Sequence, residues 1–219
     1  MADPKSFALD EQVHRYLVEH STPLDDVRLR LIAATAELGP VARMQVAPEQ
    51  SSFLTVLTRL LGVRRAVEVG TFTGLSALSI AMGMPDDGHL LCCDVSEEWT
   101  DVAREHWADA GVEGRIELRI APAAETLRSL PADPVIDLAF IDADKGSYVT
   151  YWDELVPRLR PGGVVLVDNV LWRGQVVDDS ITDDDTEAIR RFNDHALADE
   201  RVEVVMLPIS DGLTLARRR

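Results

Sequence analysis

The 219-residue sequence predicts an α/β fold, a doubly wound and mostly parallel sheet of seven strands with helices on both faces. From Arg65 onward, short apolar runs of strand length alternate with stretches of helical periodicity. Two of those runs, Ile136–Ile141 and Val164–Val167, are apolar almost throughout, as strands buried on both faces are. Both end abruptly in polar residues, Asp142-Ala143-Asp144-Lys145-Gly146 after the first and Asp168-Asn169 after the second. Ligands of open α/β sheets bind just beyond the carboxyl ends of such strands. If the two strands are neighbours, Asp142, Asp168 and Asn169 meet at one sheet edge with Lys145 beside them.

The N-terminal third has a different rhythm. Leu9, Val13, Tyr16 and Leu17 recur at helical spacing over 9–20, with Pro23 helping to close the helix. A second helix runs over 24–38 and stops at Gly39-Pro40; a third spans 48–61 with Phe53, Leu54, Leu57, Leu60 and Leu61 on its apolar face. These helices precede any strand, so residues 1–62 read as a cap or flank on the sheet core of 63–219, within one domain. The predicted strands are Ala66–Val69, His89–Cys93, Arg115–Ile120, Ile136–Ile141, Val164–Val167, Arg201–Leu207 and Leu213–Ala216. Helical patterns fall between them at 75–83, 97–110, 122–130, 147–159 and 186–198. Only a few residues join the last two strands, which predicts a closing antiparallel hairpin. The segment 174–185 is polar and irregular, and Asp183-Asp184-Asp185 reads as charge at a helix N-terminus, where the helix dipole favours it.

Composition excludes several classes. The net charge is −16, which disfavours nucleic acid as a partner. No apolar run approaches the roughly 20 residues of a membrane span, and Met1-Ala2-Asp3-Pro4-Lys5 lacks a signal pattern. The two cysteines, Cys92 and Cys93, are adjacent in a strand and so face opposite ways, which reads as two buried thiols in a reducing cytoplasm.

Strand one runs into Glu68-Val69-Gly70-Thr71-Phe72-Thr73-Gly74-Leu75-Ser76. Glycine permits the sharp turn and the close approach of a ligand. The spacing departs from the dinucleotide pattern G-x-G-x-x-G, which counts against a nucleotide-dependent oxidoreductase. A carboxylate beside the turn suits a positively charged ligand. Asp94, about twenty residues after the turn, stands where a ribose-binding acid is needed, although it also reads as a helix cap. Together these features favour an adenosine-bearing cofactor without a pyrophosphate, S-adenosylmethionine (SAM). Asp142, Asp168 and Asn169 offer three oxygen donors, suited either to solvation or to a hard cation such as Mg²⁺, Ca²⁺ or Mn²⁺. The five histidines are scattered, so zinc is not favoured.

Lys5-Ser6, Met44-Gln45-Val46, Glu68-Val69-Gly70-Thr71-Phe72-Thr73-Gly74, Ile141-Asp142-Ala143-Asp144-Lys145, Asp168-Asn169-Val170-Leu171-Trp172 and Asp211-Gly212-Leu213-Thr214 occur in this order. In them the chain resembles the cation-dependent, SAM-dependent O-methyltransferases of the caffeoyl-CoA and catechol type. The resemblance implies a Rossmann-like methyltransferase fold and a homodimer. It implies a SAM site of Val46, Glu68, Gly70, Thr71, Ser76, Asp94, Ala123 and Asp144; Val46 and Ala123 rest on position alone. It also implies a divalent cation, Mg²⁺ foremost, on Asp142, Asp168 and Asn169, and Lys145 as the base that takes the acceptor's proton. Lys5 matches a substrate-contacting lysine, and Tyr151 and Trp172 are placed to pack on an aromatic ring. The expected acceptor is a small phenolic molecule. A coenzyme A ester would want basic residues for its phosphates, whereas Asp178, Asp179, Asp183, Asp184 and Asp185 follow Trp172; this leans toward a free catechol-type hydroxyl, with the CoA ester and a non-catalytic SAM-binding protein as alternatives.

Overall fold

Three helices precede the first strand, α1 (Glu11–Glu19), α2 (Asp26–Ala36) and α3 (Pro48–Leu61), in a computed structural model that describes Phe7 and residues 9–219. Their starts follow the chemistry of orphan N–H groups: the Asp10 carboxylate accepts from Val13 N and that of Asp25 from Arg28 N. Pro48 opens α3, and Gly62, in the left-handed conformation, ends it. The buried Arg28 guanidinium pairs with Asp25 at 2.7 Å and reaches the hydroxyls of Ser51 and Thr55, fastening α2 to α3. Ser51 in turn bonds Ser79 at 2.6 Å, so the helical flank is tied to α4 (Leu75–Gly83). Helix α1 buries none of its residues.

The sheet comprises β1 (Arg65–Val69), β2 (His89–Asp94), β3 (Ile116–Ile120), β4 (Ile136–Ile141), β5 (Leu159–Asp168), β6 (Val202–Leu207) and β7 (Leu213–Arg218). Their order is β3-β2-β1-β4-β5-β7-β6, and only β7 runs antiparallel to its neighbours β5 and β6. The predicted hairpin and the predicted adjacency of β4 and β5 are both present. Helices α5 (Glu97–Asp109), α6 (Ala123–Ser129), α7 (Tyr148–Leu155) and α8 (Asp184–Ala198) complete the two layers around it. One face of the sheet packs Ala66, Cys92, Leu138 and Phe140 with the α3–α5 side; the other packs Val67, Cys93, Ala139 and Ile141 with α6, α7 and α8. Cys92 and Cys93 are therefore free, buried thiols on opposite faces.

Most element ends lie within two residues of expectation, and the largest difference is where α7 gives way to β5. The helix expected over 147–159 ends at Leu155, and a 3₁₀ turn at Val156–Arg158 follows. Pro157 cannot donate to a continuing helix, so the chain turns and β5 starts at Leu159, five residues before the expected Val164. Helix α8 starts at Asp184, because Asp183 caps it through Thr186 N at 3.0 Å. The acidic run is thus a helix start, as expected.

Candidate active site

The ends of β1, β2, β4 and β5 open into one cavity of about 1220 Å³. This exceeds the roughly 300–1000 Å³ of a pocket for one drug-sized ligand, leaving room for two molecules side by side. All five non-glycine residues with positive φ among the described residues, Phe72, Asn169, Trp172, Arg173 and Ser210, line it. Strain concentrated in one place marks a functional site, because packing elsewhere must hold it there.

The first wall is the turn after β1. Gly70 has φ +87, and a Cβ there would lie 1.8 Å from the backbone oxygen of Asp142, so only glycine lets the turn lie against the end of β4. Asp94 fixes the turn from the other side. One carboxylate oxygen accepts Thr71 N and Phe72 N, both at 2.8 Å, and the other accepts Val95 N and Ser96 N. Asp94 is therefore a clamp between β1 and β2 as well as a cavity residue, while Ser96 is the cap of α5. From above, Gln45 Nε2 donates to Thr35 and Thr73, tying α2 to the same turn. Val46, Gly70, Thr71, Ser76, Asp94, Ala123 and Asp144 all line the cavity, so seven of the eight expected cofactor residues come together. Glu68 does not. It is fully buried behind the turn with neither carboxylate oxygen hydrogen-bonded. Burial pushes its pKa up to about 8, and Ser76, Cys92 and Thr71 nearby only temper the rise.

The second wall is chemical. Ile141 pairs with Val167, so Asp142 and Asp168 follow at neighbouring positions of β4 and β5. Lys145, 9% exposed, aims its ammonium between them: Nζ donates to Asp142 Oδ1 at 3.2 Å, Asn169 Oδ1 at 2.6 Å and the Tyr148 hydroxyl at 2.6 Å. Tyr148 passes the chain on by donating to the Asp168 carbonyl at 3.1 Å. Asn169, at φ 62, turns its amide oxygen back into the site, and its N–H donates to Asp168 Oδ1 at 2.8 Å. Burial raises the pKa of both acids, and the Asp142 charge helps to push Asp168 up to about 7, while Lys145 opposes the shift in each. One ammonium does not balance two buried carboxylates, and the three side chains present only hard oxygen donors. A divalent cation fits this set.

Trp172 lies with its ring centroid 5.5 Å from Lys145 Nζ, at the mouth of the cavity. Tyr151 also lines it, but its hydroxyl is committed to Asp144 Oδ1 at 2.6 Å, which makes it a support for that acid. Lys5 lies outside the described residues. Several lining residues carried no local signal in the sequence: Gln50, Arg43 and the aromatic pair Phe72–Trp99. Tyr148, which holds Lys145, looks in the sequence like one more apolar position of a helix. Its spacing of three from Lys145 is the one hint available.

A family model described as O-methyltransferase matches residues 18–219. The chain belongs to the O-methyltransferase family. Among its relatives, "Probable caffeoyl-CoA O-methyltransferase 1" of Dictyostelium discoideum is 39% identical over 95% of this chain and 93% of its own. "Catechol O-methyltransferase domain-containing protein 1" of Mus musculus is 37% identical over 94% of this chain and 80% of its own. The O-methyltransferase from Bacillus cereus, solved with S-adenosylhomocysteine (SAH), superposes with a TM-score of 0.86 at 29% identity, covering 95% of this chain and 97% of that one. The protein is accordingly a SAM-dependent O-methyltransferase of the caffeoyl-CoA O-methyltransferase-like family, with the Rossmann-like sheet expected of it. Among the described residues, no helix of this O-methyltransferase is long and apolar enough to cross a membrane.

Proposed function

We propose that the protein methylates one hydroxyl of a small catechol-type aromatic, with a divalent cation and Lys145 sharing the activation of that hydroxyl. The observation that carries this reading is the convergence of Asp142, Asp168, Asn169 and Lys145 on the wall of the cavity that the glycine turn also lines. Asp142, Asp168 and Asn169 would hold the cation, Mg²⁺ foremost with Mn²⁺ or Ca²⁺ as alternatives. When bound, it supplies positive charge that lowers the pKa of a neighbouring phenol. Val46, Gly70, Thr71, Ser76, Asp94, Ala123 and Asp144 line the SAM end, with the buried Glu68 carboxylate beside the turn.

The chain's own residues divide the remaining work. Lys145 Nζ, once its ammonium has given up a proton, accepts the acceptor's hydroxyl proton while Tyr148 and Asn169 keep it aimed. The methyl passes from sulfonium to oxygen in line, so fixing donor and acceptor in one cavity accounts for much of the acceleration. Charge is neutralised in that step, which favours a site from which Trp172 and the buried wall exclude water.

A free phenol is favoured over a CoA ester by Asp183 and Asp185 on the cavity lining. The ester remains a second reading because Arg43 and Arg173 line the same cavity without an ion pair among the described residues, and relatives are named caffeoyl-CoA O-methyltransferases. Two further features go with this function. The exposed Tyr16 and Leu60 on the N-terminal helices, with Leu9 just before α1, suit burial in a homodimer, and the two free thiols suit a reducing cytoplasm. A mass-spectrometric screen of hydroxylated aromatics and their CoA esters, with methyl-labelled SAM, tests the substrate assignment. Label on vicinal diols supports it, label on the esters alone transfers the case to the second reading, and label on neither removes both.

A further inference from the structure

Gln50, in the first turn of α3, is 0% exposed, lines the cavity, and has neither Oε1 nor Nε2 in a hydrogen bond. Leaving a buried amide unpaired costs about 1–3 kcal/mol per group, so a glutamine kept in such a position needs a partner that the cavity's contents supply. Ser51 and Thr55 of the same helix serve Arg28 and Ser79, and the hydroxyl of Thr58, also buried and unpaired, does not line the cavity. Gln50 answers to none of them. Its amide lines the same cavity as the Asp168 carboxylate, yet makes no hydrogen bond with it. Asp168 Oδ1 is already taken by Asn169 N, which leaves its other oxygen as the one facing a donor.

We propose that Gln50 completes the cation site, its Oε1 adding a fourth protein oxygen to those of Asp142, Asp168 and Asn169 and its Nε2 steadying the Asp168 carboxylate. An amide oxygen is a hard donor of the kind Mg²⁺, Mn²⁺ and Ca²⁺ accept. Being neutral, it adds coordination without adding charge to a site that already holds two carboxylates. A cation as partner explains why Oε1 is unpaired among protein groups alone. The assignment also gives α3 a function: the helical flank reaches across the sheet edge and contributes to the site that β4 and β5 begin. This inference rests on the cation reading above.

Calorimetric titration of the full chain with MnCl₂, without acceptor, tests it in Gln50→Met, Gln50→Glu and Asp168→Ala, with SAM affinity measured in each as a check on folding. Gln50→Met keeps the length of the side chain and removes both polar ends. Its Mn²⁺ dissociation constant should rise at least about tenfold, at the lower end of what outer contacts to metal ligands contribute, while SAM binding is retained. Gln50→Glu, which keeps an oxygen, should bind Mn²⁺ at least as tightly as the parent. Parental Mn²⁺ affinity in Gln50→Met, with binding lost in Asp168→Ala, overturns the role of Gln50 and leaves the cation reading standing. An unmodified chain that binds no Mn²⁺ overturns both.

Discussion

Gly70→Ala is the substitution whose consequence can be worked most fully from the structure. A Cβ at this position would fall 1.8 Å from the Asp142 carbonyl oxygen and 2.6 Å from its carbon, both backbone atoms that no rotamer change can move aside. The φ of +87 adds roughly 1–2 kcal/mol for any residue with a Cβ. Overpacking of a close contact adds about 1–3 kcal/mol. The sum, on the order of 2–5 kcal/mol, corresponds to a fall in Tm of about 4–20 °C for a chain of this length. The displacement also has a direction. Asp142 N donates to Val69 O at 2.8 Å, so pushing the carbonyl away pulls on the link between the glycine turn and the first acid of the proposed cation site. Differential scanning calorimetry and SAM titration should therefore change together. Gly114→Ala is the control, because a Cβ there meets nothing within 4 Å and its φ is not positive. A Gly70→Ala protein with the Tm and SAM affinity of Gly114→Ala would refute the argument that this turn and Asp142 are in enforced contact.

Three further outcomes follow from the same geometry. Lys145→Ala should retain SAM binding and lose about 100- to 10,000-fold in turnover, the range of a general base; undiminished turnover in a stopped methyl-transfer assay would remove Lys145 from the reaction. Tyr148→Phe takes away an acceptor of the Lys145 ammonium and the donor to the Asp168 carbonyl. Hydrogen bonds to charged groups contribute about 1.5–3 kcal/mol, so thermal unfolding should shift down by several degrees and turnover should fall with unchanged SAM affinity. Glu68→Gln addresses pH. The folded pKa, about 8, lies above the unfolded value near 4.3, so the carboxyl stays protonated in the fold while the unfolded chain ionises. Its contribution to stability is full below the unfolded value and is lost as pH rises toward the folded one. The Tm of Glu68→Gln relative to the parent should thus increase between about pH 5 and pH 8, whereas a constant difference would mean that Glu68 is ionised in the fold.

The sheet was legible because its signals are local. Each parallel strand is a run of apolar residues closed by a turn, and the acids after Ile141 and Val167 stand out against those runs. Pairing of β4 with β5 then joins Asp142, Asp168 and Asn169 without further information. The boundary at Leu159 was less legible, since Leu155, Val156 and Leu159 continue a helical spacing and only Pro157 opposes it. Gln50 was not legible at all, and Tyr148 only through its spacing of three from Lys145. Each sits within a helix, and what distinguishes it is distant in sequence: the Asp168 carbonyl, twenty residues on, for Tyr148 and the cavity that it lines for Gln50. Glu68 shows the converse. Its place beside the glycine turn suggested contact with the ligand, and strand alternation puts it on the face shared with Cys92 and Phe140, where its carboxylate is buried without a hydrogen bond.

The central claim is that one cavity brings SAM, a divalent cation and a vicinal hydroxyl pair together. It is tested most directly by methyl transfer from SAM to caffeate, followed by mass spectrometry with Mg²⁺ and again with EDTA, beside the analogue that lacks the second hydroxyl. The account predicts a methyl ether of caffeate that forms with Mg²⁺, stops with EDTA and returns when Mg²⁺ is restored, with little product from the monohydroxy analogue. Equal methylation with and without EDTA would contradict it.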